Sequence, residues 1–496
     1  MHPCRFWVAV LTGCAAACRG PPANCKSPNK LLRVLRSSLS HNAAVYLPGS
    51  DGFDSVITRW SELKTPAADI VVVPATEDDV AYTVYQAHEC GLPILAFNGV
   101  HGASTTLGRM DRGIAISLSQ LSTVTVAQDG KTVIIRGGAS SKAVTDALWA
   151  AGKQTVTGTC ECVSYLGPAL GGGHGWLQGH HGLIADQIIS MDVVLANGVQ
   201  RTIDPSSELW WAMKGAGHNF GIVTSVTAKV YDIEARDWAT ETLVFSGSKV
   251  EAVYEAANRY LANLPPDVIN WSYWLNMPDV DPDKPIILFY IIQEGVSAVD
   301  PVYVDPFRAI GPISAEAQKG TYRDLAAWTG IALDSPPCQK AGFANPRFPI
   351  YLPEYNVAAQ KEAYDAFAAT VGGPDSPYSN SIFMFEGYPQ QGVREVDSKS
   401  TAFAFRNDSL LVSPLLTYAP VGKAFDDHTE QIGNHLRDIL FRRSGHKDLH
   451  AYVNYAYGNE KSENWYGAEE WRRGRLRGLK DKYDREGRFS FFGPIE

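Results

Sequence analysis

The sequence predicts an α+β protein in which a region of strand–helix units is followed by an antiparallel sheet backed by helices. In residues 69–231, short apolar runs of strand length alternate with segments of helical pattern. Beyond about residue 234 the runs lengthen, alternate between apolar and polar residues, and become rich in Trp, Tyr and Phe. A chain of 496 residues is also longer than one growing core supports, so two or three domains are expected.

The first region opens on a strand–helix–strand unit with clear boundary signals. Residues 69–74 form an apolar strand ended by a proline, and Thr76 then caps a helix that runs to about Cys90. The next strand, residues 91–96, leads into a glycine-containing loop that carries His101. Loops at the carboxyl ends of strands are where α/β proteins tend to bind ligands.

The remaining elements follow from the same patterns. Strands at residues 113–118, 132–136 and 222–231, a helix at 141–151 and a hairpin that turns at Asn197-Gly198 complete the first region. In the second region the predicted strands are residues 238–245, 270–275, 286–293, 381–386 and 401–411, and the predicted helices are residues 250–264, 357–371 and 425–442.

Residues 157–175 are the stretch around which the chain is organised. Four glycines lie between Gly171 and Gly175, and Cys160 and Cys162 stand near the start of the stretch. Bare glycine backbone can adopt positive φ and approach a ligand closely. The spacing is not that of the dinucleotide-binding fingerprint, which needs a strand followed by G-x-G-x-x-G in one βαβ unit. Together with the His101 loop, the stretch indicates a ligand held from two sides.

Composition and charge exclude several functional classes. Hydrophobic residues make up 45% of the chain and charged residues 20%, which is typical of a globular protein. The net charge of −9 argues against a nucleic-acid partner, and the one basic cluster, residues 472–477, is flanked by acids and predicts a solvated helix face. Cys160 and Cys162 are too close for an ordinary zinc half-site, so no metal site is predicted.

The N-terminus resembles a secretory signal. Residues 1–5 are short and basic, residues 6–18 are apolar, and three alanines at 15–17 offer a cleavage site. We expect residues 1–20 to be removed and the protein to be secreted or to reside in the secretory pathway. Of the eight cysteines about five would remain, which leaves one unpaired or otherwise bonded. No other apolar run is long enough for a membrane helix, and no membrane partner is expected.

Several segments together resemble the FAD-linked oxidases of the vanillyl-alcohol-oxidase type, in the berberine-bridge-enzyme-like branch. The resemblance covers residues 69–231 and returns at residues 452–489, and it depends on the order and spacing of the segments. They are Leu92-Pro-Ile-Leu-Ala-Phe-Asn-Gly-Val-His101, Gly158-Thr-Cys-Glu-Cys-Val163, Leu170-Gly-Gly-Gly-His-Gly175, Leu209-Trp-Trp-Ala-Met-Lys-Gly-Ala-Gly-His-Asn-Phe-Gly-Ile-Val-Thr224, Tyr452-Val-Asn-Tyr455 and Arg475-Leu-Arg-Gly-Leu-Lys-Asp-Lys-Tyr-Asp484.

The resemblance implies a PCMH-type FAD-binding domain plus a substrate domain built on an antiparallel sheet. The FAD-binding domain, with two α/β subdomains, is expected over residues 28–233 and the substrate domain over residues 234–430. Residues 431–496 are expected to return to the FAD-binding domain.

The resemblance further implies that FAD is the cofactor and is bonded covalently at two positions. In this family a loop histidine is bonded to the flavin 8α-methyl group and some members add a cysteine bond to C6; His101 and Cys160 match these positions. The alternatives are a hydrogen-bonding loop histidine for His101 and a free thiol or a disulfide for Cys160. This sequence departs from the family at Phe97, which replaces an arginine, and at Val100, which replaces a glycine. The other matches to cofactor-binding positions are Asn98, Gly99, Val100, Gly102, Val163, Ser164, Gly171, Gly172, Gly173, His174, Gly175, Gly221, Ile222, Val223, Tyr452 and Asn454.

An oxidase is the implied activity: a hydride passes from a small organic substrate to flavin N5, and O2 reoxidises the flavin to give H2O2. Val163 matches the position at which family members gate oxygen, where a small residue accompanies oxidase activity. Glu386 falls near the family's catalytic base, and a carboxyl group that ends an apolar strand would have a pKa shifted towards neutral pH. The alternative is a surface glutamate, and Tyr388, Arg406 and Tyr418 are weaker candidates.

The aromatic second region favours a specialised metabolite as the substrate. The enzyme is expected to be a monomer. Three alternatives stay open at this point. One is an oligosaccharide oxidase, another is a Diels–Alder-type cyclase that uses the flavin site without net redox change, and the third is a binding or allergen-like module without turnover.

Overall fold

The structure is a computed structural model that describes Cys25, residues 27–373 and residues 375–496. The predicted signal, residues 1–20, lies outside the described residues. The predicted α+β class is confirmed. A four-stranded sheet begins the fold, with strands in the order Ala44–Tyr46, Ile70–Val73, Ile114–Ser117 and Ile94–Phe97. The first pair is antiparallel and the other two pairs are parallel.

A five-stranded antiparallel sheet completes the first region. Its strands lie in the order Val124–Val126, Thr132–Arg136, Ile222–Lys229, Ile188–Val194 and Gln200–Ile203. The last two strands form the predicted hairpin around Asn197-Gly198, in which Gly198 has φ +82°. A small ribbon pairs Lys153–Gln154 with Tyr231–Asp232.

Local signals define the helix Glu77–Cys90, which follows strand Ile70–Val73. The Thr76 side chain accepts a hydrogen bond from the backbone N–H of Asp79, and the Asp79 carboxylate accepts one from the Thr76 N–H. This reciprocal capping box satisfies two N–H groups that a helix start leaves unpaired. Gly91 ends the helix in the left-handed conformation with φ +64°. The helix predicted from Thr76 to Cys90 is therefore confirmed.

The second region forms one seven-stranded antiparallel sheet with two different faces. Side chains alternate between the faces, so Trp274, Phe383 and Phe385 pack under helices while Trp271 and Met384 turn towards the first region. The strand order is Ser314–Thr321, Asp237–Phe245, Ile286–Glu294, Val268–Leu275, Ile382–Gly387, Leu410–Leu415 and Ile350–Leu352.

Three long helices, Val250–Leu261, Val357–Val371 and Lys423–Phe441, contribute their apolar sides to the core on the outer face of this sheet. In the described part of the chain, no helix combines the length and apolarity needed to cross a bilayer. The remaining α-helices are Pro28–Ser38, Asp51–Ile57, Ser141–Ala150, Leu166–Leu170, Gln178–His181, Ile184–Gln187, Trp210–Met213, Pro301–Arg308, Leu325–Trp328, Gln391–Glu395, Ser462–Tyr466 and Glu470–Tyr483.

The C-terminal segment packs against the first region. The Arg488 guanidinium donates to the Leu92 carbonyl at 3.1 Å, and the Arg488 carbonyl accepts from the Ile94 N–H at 3.1 Å. Further along, the Phe491 carbonyl accepts from the Thr106 hydroxyl at 3.0 Å. These contacts close the chain onto the strand that leads to His101.

Residues 401–411 do not form the predicted strand, because a long-range ion pair holds most of them in an irregular path. Only the last two belong to a strand, which runs from Leu410 to Leu415. Arg406 is buried, and its guanidinium donates to both carboxylate oxygens of Asp186 at 2.9 Å. A regular strand here would not deliver that side chain to a partner more than two hundred residues away in the chain.

Two other features of the second half were not anticipated from the sequence pattern. Arg472, predicted to lie on a solvated helix face, is buried and donates to the carbonyls of Thr401 and Ser398. The strand Ser314–Thr321 was missed because it is a mostly exposed edge strand without an apolar run.

We expect Arg406→Met to lower the free energy of unfolding by about 3–5 kcal/mol, because Asp186 would stay buried without its bidentate partner. Urea unfolding followed by tryptophan fluorescence measures this loss. The control is Arg109→Met, which removes an exposed pair with Glu496 and should change stability by about 0–1 kcal/mol. Equally small effects in the two variants would contradict the importance of the buried pair.

Candidate active site

A cavity of about 920 Å³ lies between the loops of the first region and the inner face of the seven-stranded sheet. Aromatic and apolar side chains such as Trp271, Tyr273 and Met384 supply the sheet side of its lining, as is typical of small-molecule sites. The predicted site residues that line it are Asn98, Gly99, Val100, His101, Gly102, Cys160, Val163, Ser164, His174, Gly221, Ile222, Val223, Glu386, Tyr388, Tyr452 and Asn454.

The central glycines Gly171, Gly172, Gly173 and Gly175 are not among the residues that line the cavity. A Cβ on Gly172 would lie 2.6 Å from the Phe403 ring, and one on Gly175 would lie 2.1 Å from a backbone carbonyl. Bare backbone is needed at these positions because protein segments approach one another closely.

Tyr418 and Arg406 also lie away from the cavity lining. Tyr418 is buried in the core on the outer face of the sheet, where its hydroxyl donates to Asp426 at 2.7 Å. Arg406 is engaged with Asp186. Both side chains therefore have structural partners, and neither is a candidate for contact with substrate.

His101 projects from a loop whose backbone is strained. Val100 has φ +53°, a conformation that a β-branched residue rarely adopts, so the loop keeps a glycine-like path without the glycine. The His101 ring stacks on Trp60 at 4.2 Å, and its Nε2 lies 2.8 Å from the Pro337 carbonyl. Since a carbonyl only accepts, Nε2 carries the proton and Nδ1 keeps its lone pair.

Burial and neighbouring arginines keep His101 uncharged. Desolvation, with Arg347 and Arg59 nearby, lowers the pKa of His101 to about 3. A neutral imidazole whose Nδ1 lone pair is free is a competent nucleophile at physiological pH.

Cys160 is the free thiol beside this histidine. Its Sγ lies 3.6 Å from the sulfurs of both Cys162 and Cys338, which are joined to each other in a disulfide. Burial raises the pKa of Cys160 to about 11, so the thiol is protonated at neutral pH. With Cys25–Cys90 as a second disulfide, the five cysteines among the described residues form two pairs and leave one thiol.

The Cys162–Cys338 disulfide ties a loop of the second region to the stretch of residues 157–175, next to His101. Pro337, whose carbonyl accepts from His101, immediately precedes Cys338 in the chain. The same loop is held at a second point, where the Leu333 N–H donates to the Glu161 carboxylate at 3.0 Å. The orientation of the His101 ring therefore depends on a loop that the disulfide fixes.

Glu386 is the buried carboxyl group of the cavity. It is 1% exposed, and its two oxygens accept hydrogen bonds from the hydroxyls of Tyr388 at 2.8 Å and Tyr455 at 3.0 Å. Desolvation raises the pKa of Glu386 to about 7, although the tyrosine hydroxyls and Arg347 act in the opposite direction. The surface-glutamate alternative is thus excluded.

His174 and Asn454 reach the cavity but are occupied by bonds to protein atoms. His174 is bonded through Nδ1 to Gln178 and through Nε2 to Tyr351, both at 2.8 Å. Asn454 donates to the Pro168 carbonyl at 3.0 Å and to the Tyr452 hydroxyl at 2.8 Å. Asn454 thus connects the central glycine stretch with the C-terminal segment, and His174 connects that stretch with strand Ile350–Leu352.

Three polar cavity residues were missed from the sequence. Tyr455 stands inside a segment used for the family resemblance and could have been selected on that signal. Arg59 and Arg347 belong to no motif. Arg59 is buried, donates to the Gly102 carbonyl at 2.9 Å, and has a pKa lowered by desolvation to about 10. It places a cation beside the loop in which Phe97 replaces the family's arginine.

Comparison with known proteins decides the family. Residues 68–204 match the family described as FAD binding domain. The FAD-linked oxidoreductase chyH of Penicillium rubens is 56% identical over 486 residues, which cover 97% of this chain and 97% of that protein. This chain belongs to the FAD-linked oxidoreductases. It is an enzyme, and its cofactor is FAD.

Solved structures share the fold of this FAD-linked oxidoreductase. BBE-like 1 of Physcomitrella patens has a TM-score of 0.79 at 20% identity, covering 93% of this chain and 98% of that one. A glucooligosaccharide oxidase from Acremonium strictum, described with a 6-S-cysteinyl, 8α-N1-histidyl FAD, has a TM-score of 0.78 at 18% identity, covering 95% and 99%. The predicted PCMH-type fold and the resemblance to berberine-bridge-enzyme-like oxidases are confirmed.

The cavity fits FAD in the groups it presents. Among the described residues, no hydrogen-bond acceptor pairs with the backbone N–H of Asn98, Gly99 or Val100, so these amides are available to an anionic group. Buried polar atoms of His218 and Tyr273 at the lining also have no protein partner. Together with the two nucleophiles His101 and Cys160, these groups suit a large polar cofactor.

Proposed function

We propose that the protein is a FAD-dependent oxidase that removes a hydride and a proton from a C–H group next to O or N in a small organic substrate. Bound FAD would supply the hydride acceptor and the route by which the electrons reach O2, which would be reduced to H2O2. The observation that carries the proposal is the desolvated carboxyl group of Glu386, held by two tyrosine hydroxyls on the cavity lining that also presents His101 and Cys160.

Glu386 is the proposed catalytic base. A pKa of about 7 leaves both protonation states populated at neutral pH, which suits a group that takes a proton from substrate. Burial raises the pKa values of Tyr388 and Tyr455 well above the usual tyrosine value. The two hydroxyls therefore stay protonated, and as donors they hold the carboxylate in place.

Two covalent bonds to FAD, through His101 and Cys160, are part of the proposal. The free Nδ1 lone pair of a neutral imidazole supports the histidyl bond. The thiol of Cys160 must first lose a proton, so its bond forms more slowly at neutral pH. The Acremonium oxidase, described with both linkages, supports the pair.

A small apolar or aromatic metabolite is the proposed substrate class, and O2 the proposed electron acceptor. Leu275, Leu288, Ile382 and Leu415 line the cavity beside its aromatic side chains, which offers apolar surface to such a substrate. Val163 also lines the cavity, and its small side chain supports access of O2. The two disulfides support a secreted or secretory-pathway location.

Glu386→Gln tests the base. We expect kcat/KM to fall by about 10²- to 10⁴-fold, since an amide cannot accept the proton. The assay is O2 consumption with a substrate that bleaches the flavin of the wild-type protein, and bleaching itself excludes a non-redox cyclase or an inert binding module. The control is Glu354→Gln, an exposed glutamate of the same region. A loss of less than about threefold in Glu386→Gln would reject the assignment.

Tyr455→Phe should shift the acid limb of the pH–rate profile from about pH 7 to higher pH. The Tyr455 hydroxyl stabilises the ionised form of Glu386, so its removal raises the pKa of the carboxyl group and postpones activity to higher pH. Tyr457→Phe removes a hydroxyl that donates to Glu430 and should leave the limb unchanged. An unmoved or downward-shifted limb in Tyr455→Phe would contradict the proposed contact.

His101→Ala and Cys160→Ala separate the two bonds. After reconstitution with FAD, acid precipitation should retain yellow flavin in each single variant and release it in the double variant. In Cys160→Ala the rate of attachment should be flat from pH 6 to pH 9, because the pKa of His101 is about 3. In His101→Ala the rate should rise with pH towards about 11. Release of all flavin from wild-type protein would overturn both bonds.

Loss of the Cys162–Cys338 disulfide should reduce the histidyl bond. The variant replaces Cys162 and Cys338 by serine in a Cys160→Ala background and so releases the loop that carries Pro337. The Pro337 carbonyl then no longer holds the proton on Nε2 of His101. The acid-stable flavin fraction should then fall, whereas serine at Cys25 and Cys90 removes the other disulfide and should leave it unchanged. Equal acid-stable flavin fractions in the two variants would show that attachment through His101 does not depend on the Cys162–Cys338 disulfide.

A further inference from the structure

Arg347 is a cation of the cavity lining that packs between two aromatic rings. Its guanidinium carbon lies 4.9 Å from the centre of the Trp60 ring and 4.3 Å from that of Tyr455. The backbone of Arg347 is bridged to Leu415 of the seven-stranded sheet. Such stacking fixes the plane of the guanidinium but leaves its N–H groups without acceptors.

No carboxylate of the described residues lies within ion-pair distance of Arg347. Within the described chain, Arg347 forms no ion pair and no side-chain hydrogen bond, and its Nε is buried without a partner. The buried arginines Arg406 and Arg437, by contrast, are paired with Asp186 and Glu460. An unpartnered, partly desolvated guanidinium is costly, so its donors are expected to meet an acceptor in the working enzyme.

Glu386 is not that acceptor, although its charge is felt by Arg347. Both carboxyl oxygens of Glu386 already accept from tyrosine hydroxyls. Tyr455 connects the two groups, because its ring lies against Arg347 while its hydroxyl donates to Glu386. A ligand bound to Arg347 would therefore lie beside the proposed base.

The aromatic and apolar part of the cavity lining favours a ligand that also carries apolar surface. Trp271, Tyr273, Ile382 and Met384 line the same cavity and offer flat or apolar surface. A fully hydrated inorganic anion would gain nothing from this wall, whereas an aromatic acid satisfies the ring surface and the cation together.

We propose that Arg347 is the substrate-recognition residue of this cavity and that it binds the carboxylate of an aromatic carboxylic acid. The proposal rests on the oxidase function proposed above and names its substrate class. The planar guanidinium matches a carboxylate in a two-bond, charge-assisted contact. Binding there orients the substrate with its carboxylate at Arg347 and its oxidised C–H group towards Glu386.

The test uses benzoate as a probe on the FAD-loaded protein. Calorimetry measures its affinity, and the visible flavin spectrum reports whether the bound probe lies at the flavin. Saturable binding that changes the spectrum is expected, and Arg347→Gln should weaken it by about ten- to a hundredfold, as for other hydrogen bonds to charged groups. Arg347→Lys should keep part of the affinity. Benzamide, which has the same shape without the charge, should bind wild-type protein at least about tenfold more weakly.

The matched control is Arg475→Gln. Arg475 also stacks on a tryptophan, Trp211, at 4.4 Å, but it is exposed and lies outside the cavity lining, so benzoate affinity should not change. Equal affinity of wild type and Arg347→Gln, equal affinity for benzoate and benzamide, or absence of benzoate binding would each overturn the proposal. A colourless protein would instead overturn the oxidase function, so the two failures are distinguishable.

Discussion

Burial of ionisable side chains between the seven-stranded sheet and the loops that carry His101 and Cys160 is the constraint on which the site depends. The sheet register turns Trp271 and Met384 inward while Trp274 and Phe385 anchor the opposite face. Desolvation then acts on each ionisable group in the direction of its neutral form. It leaves His101 uncharged, keeps Cys160 protonated and brings the carboxyl group of Glu386 to the edge of ionisation. The same burial therefore sets the protonation states of all three groups: the proposed nucleophiles His101 and Cys160 and the proposed base Glu386.

The same packing explains why the site needs long-range ties. The loop that orients His101 comes from the second region, and its disulfide partner, Cys162, lies 176 residues away in the chain. Tyr455, which holds Glu386, comes from the C-terminal segment, 69 residues beyond it. The protonation states of His101, Cys160 and Glu386 therefore depend on three parts of the fold: the loops of the first region, the seven-stranded sheet and the C-terminal segment.

Local signals in the sequence were sufficient for much of the fold and for part of the site. The helix from Thr76 and the strands around it carry their own caps and apolar runs, and His101, Cys160 and Glu386 stand in recognisable segments. Residues 401–411 misled because alternation cannot reveal a buried partner such as Asp186. The sequence alone does not separate the two reasons for the central glycines, because chain packing and ligand approach both require bare backbone. Arg347 carried no signal in the sequence. What distinguishes it is a side chain without a hydrogen-bond partner among the described residues, and only the folded structure shows this.

The protonation state of Glu386 is the most direct test of these ideas. Infrared difference spectroscopy of the FAD-loaded protein, with Glu386→Gln subtracted, follows the protonated carboxyl band as pH changes. Burial of the Glu386 carboxyl group predicts a titration midpoint at about pH 7. A midpoint at the ordinary value for a solvated glutamate, about 4.3, would show that water reaches the carboxyl group and would contradict its role as a tuned base.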